Sequence, residues 1–131
     1  MEEMSVLVVE DEPALRRLSA FALQRAGCAV LQAANAEEAL RLSRTGGFAV
    51  LVTDTHLGDG CMDGFALADR IAQEHPGIPV IIMSGQPRNG QLAAEKGLTF
   101  LAKPFLPGSI VQYVRRALDG LKAPDRRAQT P

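Results

Sequence analysis

Apolar residues in this chain follow two rhythms: short unbroken runs, and between them stretches where they recur every three or four positions. The runs are Val6-Leu7-Val8-Val9, Phe48-Ala49-Val50-Leu51-Val52-Thr53-Asp54, uncharged until its last residue, Val80-Ile81-Ile82-Met83 and Leu98-Thr99-Phe100-Leu101-Ala102, with Cys28 to Ala33 a shorter candidate. Runs of this length without alternation suit strands buried on both faces, as in a parallel sheet. The helical rhythm fills the gaps. After Asp11-Glu12-Pro13, Leu15, Leu18, Ala22 and Arg25 predict helix 1, which Gly27 closes. Asn35-Ala36-Glu37-Glu38 reads as a cap with Glu at its third helical position, so helix 2 runs from about Ala36 to Arg44 and breaks at Gly46-Gly47. Asp63-Gly64 opens helix 3, with Phe65, Ala68, Ile71 and Ala72 on one face and His75-Pro76-Gly77 at its end.

Gln86 to Lys96 is expected to be helix 4, the weakest of the set, because Pro87, Asn89 and Gly90 sit in its first half and Leu92, Ala93 and Ala94 are its apolar contacts. Helix 5 begins near Pro107 and carries a clear stripe of Ile110, Val111, Val114 and Leu118. Strands alternating with helices five times predict an α/β fold, a (βα)5 three-layer sandwich with a parallel sheet, for which 2-1-3-4-5 is the expected order. In 131 residues this makes one domain, residues 1–121, followed by a polar, aperiodic tail or truncated linker over 122–131.

Charge narrows the partners. Fourteen basic residues against 15 acidic ones, with basic residues clustered no further than the pairs Arg16-Arg17, Arg115-Arg116 and Arg126-Arg127, give no reason to expect nucleic acid or an anionic membrane. Met1-Glu2-Glu3-Met4 is acidic where a secretory signal is basic, and no apolar run approaches a membrane span, so a cytoplasmic location is expected. Cys28 and Cys61 lie in different segments without a CxxC or neighbouring His pattern and read as reduced, unpaired thiols.

The chemistry collects where the apolar runs stop. Glu10 and Asp11 follow the first run, Asp54 ends the central one, Ser84 follows the fourth and Lys103 the fifth. In open parallel sheets ligands bind beyond these strand ends. Three carboxylates in one small space repel each other unless a cation compensates, and Mg²⁺, a hard ion taking oxygen ligands, answers that need. Lys103 adds a fixed positive charge, and Ser84 adds a hydroxyl for a phosphoryl oxygen. With charge so neutralised, Asp54 can act as a carboxylate nucleophile and form an aspartyl phosphate. No Ser-His-Asp set, Walker lysine loop or GxGxxG fingerprint competes.

Glu10-Asp11, Asp54, Ser84 and Lys103-Pro104, in that order and spacing, resemble the receiver domain of bacterial two-component response regulators, the CheY-like superfamily. The resemblance spans Ser5 to about Leu121 and supports the flavodoxin-like strand order 2-1-3-4-5. It implies that Asp54 accepts a phosphoryl group from a sensor histidine kinase or a histidine phosphotransfer protein. It implies Mg²⁺, for which Mn²⁺ can substitute, at Glu10, Asp11, Asp54 and the backbone carbonyl of His56. Ser84 and Lys103 match the family's hydroxyl and lysine, Phe100 its aromatic switch position, and Pro104 its cis peptide. Phosphorylation is then expected to reshape the face made by helix 4, strand 5 and helix 5, where a downstream protein or a second copy binds. The sequence departs from the family after the acceptor: Leu57-Gly58 replaces the common Met-Pro, and Asp63 follows Asp54 about two residues later than usual, so Gly58-Asp59-Gly60-Cys61 is expected to form a bulging, mobile loop.

Plainer readings hold for several residues. Glu12 suits a helix start, His75 a helix end, Asp59 a turn beside glycine, and the His56 side chain a solvated loop. Taken alone, Asp54 or Lys103 would also be an ordinary solvated charge, and the joint pattern is what reverses that. A Mg²⁺-dependent phosphohydrolase with an aspartyl-phosphate intermediate is the alternative from another class, but the chain lacks a cap domain, and Thr55-His56 leaves no acid two positions after Asp54. A receiver-like domain that is never phosphorylated is disfavoured by the intact acid, hydroxyl and lysine set.

Overall fold

The apolar runs form β1 (Ser5–Val9), β2 (Ala29–Ala33), β3 (Val50–Asp54), β4 (Val80–Ser84) and β5 (Thr99–Ala102). Between and after them lie α1 (Pro13–Arg25), α2 (Ala36–Thr45), α3 (Gly64–Glu74), α4 (Arg88–Glu95) and α5 (Pro107–Lys122). This computed structural model describes residues 5–58 and 62–122. The strands pair in parallel in the order β2-β1-β3-β4-β5, the flavodoxin-like arrangement expected from the family resemblance.

Side chains alternate across the sheet and so build two cores. Leu7, Val9, Leu51 and Ile82 face α2, α3 and α4, whereas Val6, Val8, Val50, Val52, Ile81 and Met83 face α1 and α5. Because helices cover both faces, β3 and β4 are buried at every position, which is why their sequences run apolar without interruption. The edge strands β2 and β5 are more exposed.

Polar side chains set the helix starts. The Glu12 carboxylate accepts the Leu15 N–H at 2.8 Å and the Ala14 N–H at 3.1 Å, capping α1, and these two bonds hold its pKa below the ordinary value. Asn35 accepts the Glu38 N–H at 2.8 Å, while the Glu38 carboxylate accepts the Ala34 N–H at 2.7 Å, a capping box reaching one residue further back than the usual form. Gly27, at φ 98°, takes the left-handed turn that ends α1.

Four sequence expectations need correction. In α1 the buried residues are Ser19, Ala20 and Leu23, while Leu18 is 48% exposed and Phe21 57%. The small Ser19 and Ala20 thus share the inner face with Leu23, while the bulky Leu18 and Phe21 turn outward. In α3 Leu67 is buried and Ala72 exposed. Helix α4 starts two residues later than expected, its Pro87 cap has no side-chain hydrogen bond, and Ala93 is its buried residue. Helix α5 continues through Lys122, one residue into the stretch read as tail, and residues 123–131 lie outside the described residues.

Ser19 is buried, and its hydroxyl has no hydrogen-bond partner among the described residues. An unpaired buried hydroxyl costs about 1–3 kcal/mol. Ser19→Ala is therefore expected to raise the unfolding free energy by about 1 kcal/mol in a urea titration, and a lower midpoint would show that the hydroxyl is satisfied.

Candidate functional site

Strand register brings the chemical residues to one edge of the sheet. Val9 pairs with Thr53, Asp54 with Met83 and Ser84 with Ala102, so Glu10, Asp54, Ser84 and Lys103 leave the sheet side by side. Glu10, Asp11 and Asp54 each offer a carboxylate oxygen, and these atoms lie within 4.8 Å of one another. An all-oxygen, three-carboxylate set fits a hard divalent cation. The cluster can therefore hold a metal ion.

Lys103 fills part of the same space. Its Nζ stands 2.7 Å from Glu10 Oε1 and 3.1 Å from Asp54 Oδ2, bridging the first and third strands of the site. The other oxygen of each acid is held by backbone: Glu10 Oε2 accepts the Glu12 N–H at 3.1 Å, and Asp54 Oδ1 accepts the Thr55 N–H at 2.8 Å. Arg16 fixes the chain at this corner by donating to the Glu10 carbonyl at 2.8 Å. Glu10 is buried, and burial raises its pKa, with the Asp54 charge adding to the rise against the Lys103 and Glu12 hydrogen bonds. Burial alone would lower the Lys103 pKa, but the Glu10 hydrogen bond and the charges of Asp54 and Glu10 outweigh it and leave it raised. Lys103 is accordingly a permanent cation at neutral pH.

Ser84 is buried at the end of β4, and its oxygen accepts the Gln86 N–H at 3.0 Å and the Asn89 side-chain amide at 2.9 Å. The Ser84 carbonyl accepts the Lys103 N–H at 2.9 Å, tying the hydroxyl and lysine strands together. The Lys103–Pro104 peptide is cis. A cleft of about 360 Å³ lined by Leu15, Lys103, Pro104 and Phe105 opens beside the lysine and leaves it reachable from solvent.

Phe100 is half-buried against the α2–α4 core, with its ring beside Gly90: a Cβ there would meet ring carbons at 3.0 and 3.1 Å. Gly90, read from sequence as a weak helical position, is thus a seat for the aromatic ring. The His56 side chain is exposed. His75 caps the end of α3 and packs edge-on against Phe48, with ring centroids 4.9 Å apart. Of the long loop, Leu57 is buried in the core, Met62 packs against it, and Gly58, at φ 77°, lies beside the Asp11 carboxylate. The expected bulge at Asp59-Gly60-Cys61 lies outside the described residues. Cys28 is a free thiol whose pKa burial raises.

Sequence reasoning did not assign Arg16 or Asn89 to the site. Asn89 was visible as a polar residue in a poor helix, but its reach to Ser84 depends on how the β4–α4 turn folds back.

The chain matches the protein-family model of the response regulator receiver domain over residues 6–115. It is 31% identical over 116 residues to the transcriptional regulatory protein SrrA of Staphylococcus aureus, an alignment covering 86% of this chain and 47% of that protein. The chain thus spans about half the length of the curated relatives it matches. Among solved structures, the receiver domain of NtrX from Brucella abortus superposes with a TM-score of 0.82 at 32% identity, covering 87% of this chain and 98% of that one. The chemotaxis protein CheY4 of Vibrio cholerae superposes with a TM-score of 0.80 at 26% identity, covering 88% and 99%.

Proposed function

The chain belongs to the response regulator receiver domain family, and from that premise we propose that it is a phosphorylatable switch whose acceptor is Asp54. The observation that carries the reading is Lys103 Nζ lying between the carboxylates of Glu10 and Asp54, within a cluster of three acids able to share a cation. Receiver domains of this family act in signalling and interact with histidine kinases or phosphotransfer proteins. We take such a protein as the phosphodonor here.

In the transfer, Asp54 Oδ2, which pairs with Lys103 at rest, attacks the phosphorus, the bond from phosphorus to the donor's nitrogen or oxygen breaks, and the electron pair leaves with the donor. The product is an acyl phosphate. Lys103, which pairs with Asp54 at rest, is placed to pair with a phosphoryl oxygen afterwards. Mg²⁺, or Mn²⁺ in its place, would be held by Glu10, Asp11, Asp54 and the His56 carbonyl and would neutralise charge on the phosphoryl oxygens. Beyond accepting phosphate from small donors and losing it slowly to water, no catalytic turnover is expected. With Mg²⁺ and acetyl phosphate the chain should gain one acid-stable, base-labile phosphoryl group. Steady hydrolysis of small phosphate esters instead would establish the phosphohydrolase alternative.

The metal assignment has its own test. Replacing Asp11 by Asn removes one of three charges from the cluster, and a contact between unit charges near 4 Å is worth on the order of 4 kcal/mol at an effective dielectric of about 20. Asp11→Asn is expected to weaken Mg²⁺ binding at least tenfold in a titration. Unchanged affinity would remove Asp11 from the metal site.

Readout follows from the weakness of α4. With one buried residue and no side-chain cap, it is an element of low local stability, the kind from which switches are drawn. Phosphorylation is expected to draw Ser84 toward the phosphoryl group and Phe100 further inward, reshaping the α4–β5–α5 face that binds a downstream protein or a second copy. Full burial of a Phe ring is worth roughly 1.5–3 kcal/mol, but Phe100 is already half-buried, so the remaining gain lies toward the lower part of that range or below it. Hydrogen exchange with and without beryllofluoride is expected to differ over residues 86–105. Equal protection there would exclude this route.

A further inference from the structure

Ser84 and Asn89 make a side-chain contact that the reading above leaves unused. The Ser84 oxygen has two acceptor positions and both are filled, by the Gln86 N–H at 3.0 Å and the Asn89 Nδ2 at 2.9 Å. Both partners lie on the α4 side of the strand end. Among the described residues, no hydrogen bond joins this hydroxyl to Glu10, Asp54 or Lys103, the groups around which a phosphoryl group would sit. The Gln86 bond is a local turn of the kind serine makes with the backbone two residues on, and it fixes nothing beyond the loop. The Asn89 bond is different, because it reaches from the strand end into the first turn of α4. Among the described residues that turn has no other side-chain hydrogen bond, since its Pro87 cap makes none.

The geometry points to Asn89 as a positioning residue that holds the Ser84 hydroxyl on the α4 side at rest and must release it before it can donate to a phosphoryl oxygen. This rests on the phosphoacceptor reading and adds a residue and a direction to it. Release leaves the Ser84 oxygen free to turn and removes the tether of the first α4 turn in the same event. Occupancy of Asp54 is thereby coupled to the order of α4 through a single carboxamide.

A neutral hydrogen bond that exists in one state and not the other is worth about 0.5–1.5 kcal/mol, or roughly 2- to 12-fold in an equilibrium. Asn89→Ala removes the resting-state bond, so the full chain carrying it is expected to bind beryllofluoride, in saturating Mg²⁺, about 2- to 12-fold more tightly than the parent. Its affinity for Mg²⁺ alone should be unchanged. In a Ser84→Ala background the same substitution is expected to change beryllofluoride affinity by less than about twofold, because the group it restrains is gone. A role of Asn89 confined to helix stability would instead shift both backgrounds equally. Equal or weaker beryllofluoride binding by Asn89→Ala, or a gain that persists without the Ser84 hydroxyl, overturns the inference. A parent chain that takes up no beryllofluoride overturns the phosphoacceptor reading and this inference with it, whereas a parent that binds while Asn89→Ala matches it overturns the inference alone.

Discussion

Asp54→Asn is expected to take up no phosphoryl group from acetyl phosphate under conditions in which the parent chain gains one. The substitution keeps the shape of the side chain and replaces a charged oxygen nucleophile with a carboxamide, whose electron pair is delocalised into the amide and which carries no negative charge to direct at phosphorus. The local frame should survive: the side-chain oxygen can still accept the Thr55 N–H, now 2.8 Å from Oδ1, and the backbone lies inside a strand buried at every position. What changes is the charge beside Lys103, whose Nζ now lies 3.1 Å from Asp54 Oδ2 and 2.7 Å from Glu10 Oε1. With Asp54 neutral, the lysine keeps Glu10 as its charged partner. Intact-mass spectrometry reads the uptake and peptide mapping its position. A phosphoryl group on the Asn variant, or parent label mapped to His56 or Ser84, would end the assignment of Asp54 as acceptor.

The strand ends could be read from sequence because their signal is local: an apolar run stopping on a polar residue. Given parallel strands in the order seen here, Glu10, Asp54, Ser84 and Lys103 had to meet at one edge, and they do. Helix caps were legible for the same reason, since the Glu12 and Asn35 bonds span two or three residues. Facing was harder. Leu15, Leu18, Ala22 and Arg25 have helical spacing, yet the side of α1 that meets the fold carries Ser19, Ala20 and Leu23, and a buried serine beside an exposed leucine is not marked by apolar spacing. Gly90 shows the same limit. Propensity marks it as a weakness in α4, whereas its purpose becomes visible only when Phe100 from β5 is placed against it. Asn89 belongs with these cases, its partner lying across a turn whose path the sequence does not specify.

Gly64→Ala is expected to be the most damaging glycine-to-alanine change among the described residues, and the reason is backbone geometry at Asp54. Gly64 opens α3, is buried, and donates its N–H to the Thr55 carbonyl at 2.9 Å, closing the loop that leaves Asp54. A Cβ at this position would overlap the Asp54 carbonyl oxygen and lie 2.8 Å from the Asp54 carbonyl carbon and 2.9 Å from the Thr55 Cα. No left-handed conformation is involved, so the cost comes from space rather than from φ. At Gly90 the obstructing atoms belong to the ring of a half-buried side chain on an edge strand, which can move. At Gly64 they are the main chain of β3 and its first following residue, and β3 is pinned between β1 and β4. Overpacking by one methyl costs about 1–3 kcal/mol when side chains can yield, so a clash with fixed backbone is expected to exceed about 3 kcal/mol in a urea titration. The relief available is to push α3 and the loop away from the sheet, which breaks the Gly64–Thr55 hydrogen bond and shifts the backbone carrying the Asp54 carboxylate. Phosphoryl uptake per folded molecule should therefore fall as well, measured at a urea concentration and temperature where the variant remains folded by circular dichroism. A variant with the parent's unfolding midpoint would show that the β3–α3 junction has slack, and normal uptake in a destabilised variant would show that Asp54 is positioned by the sheet alone.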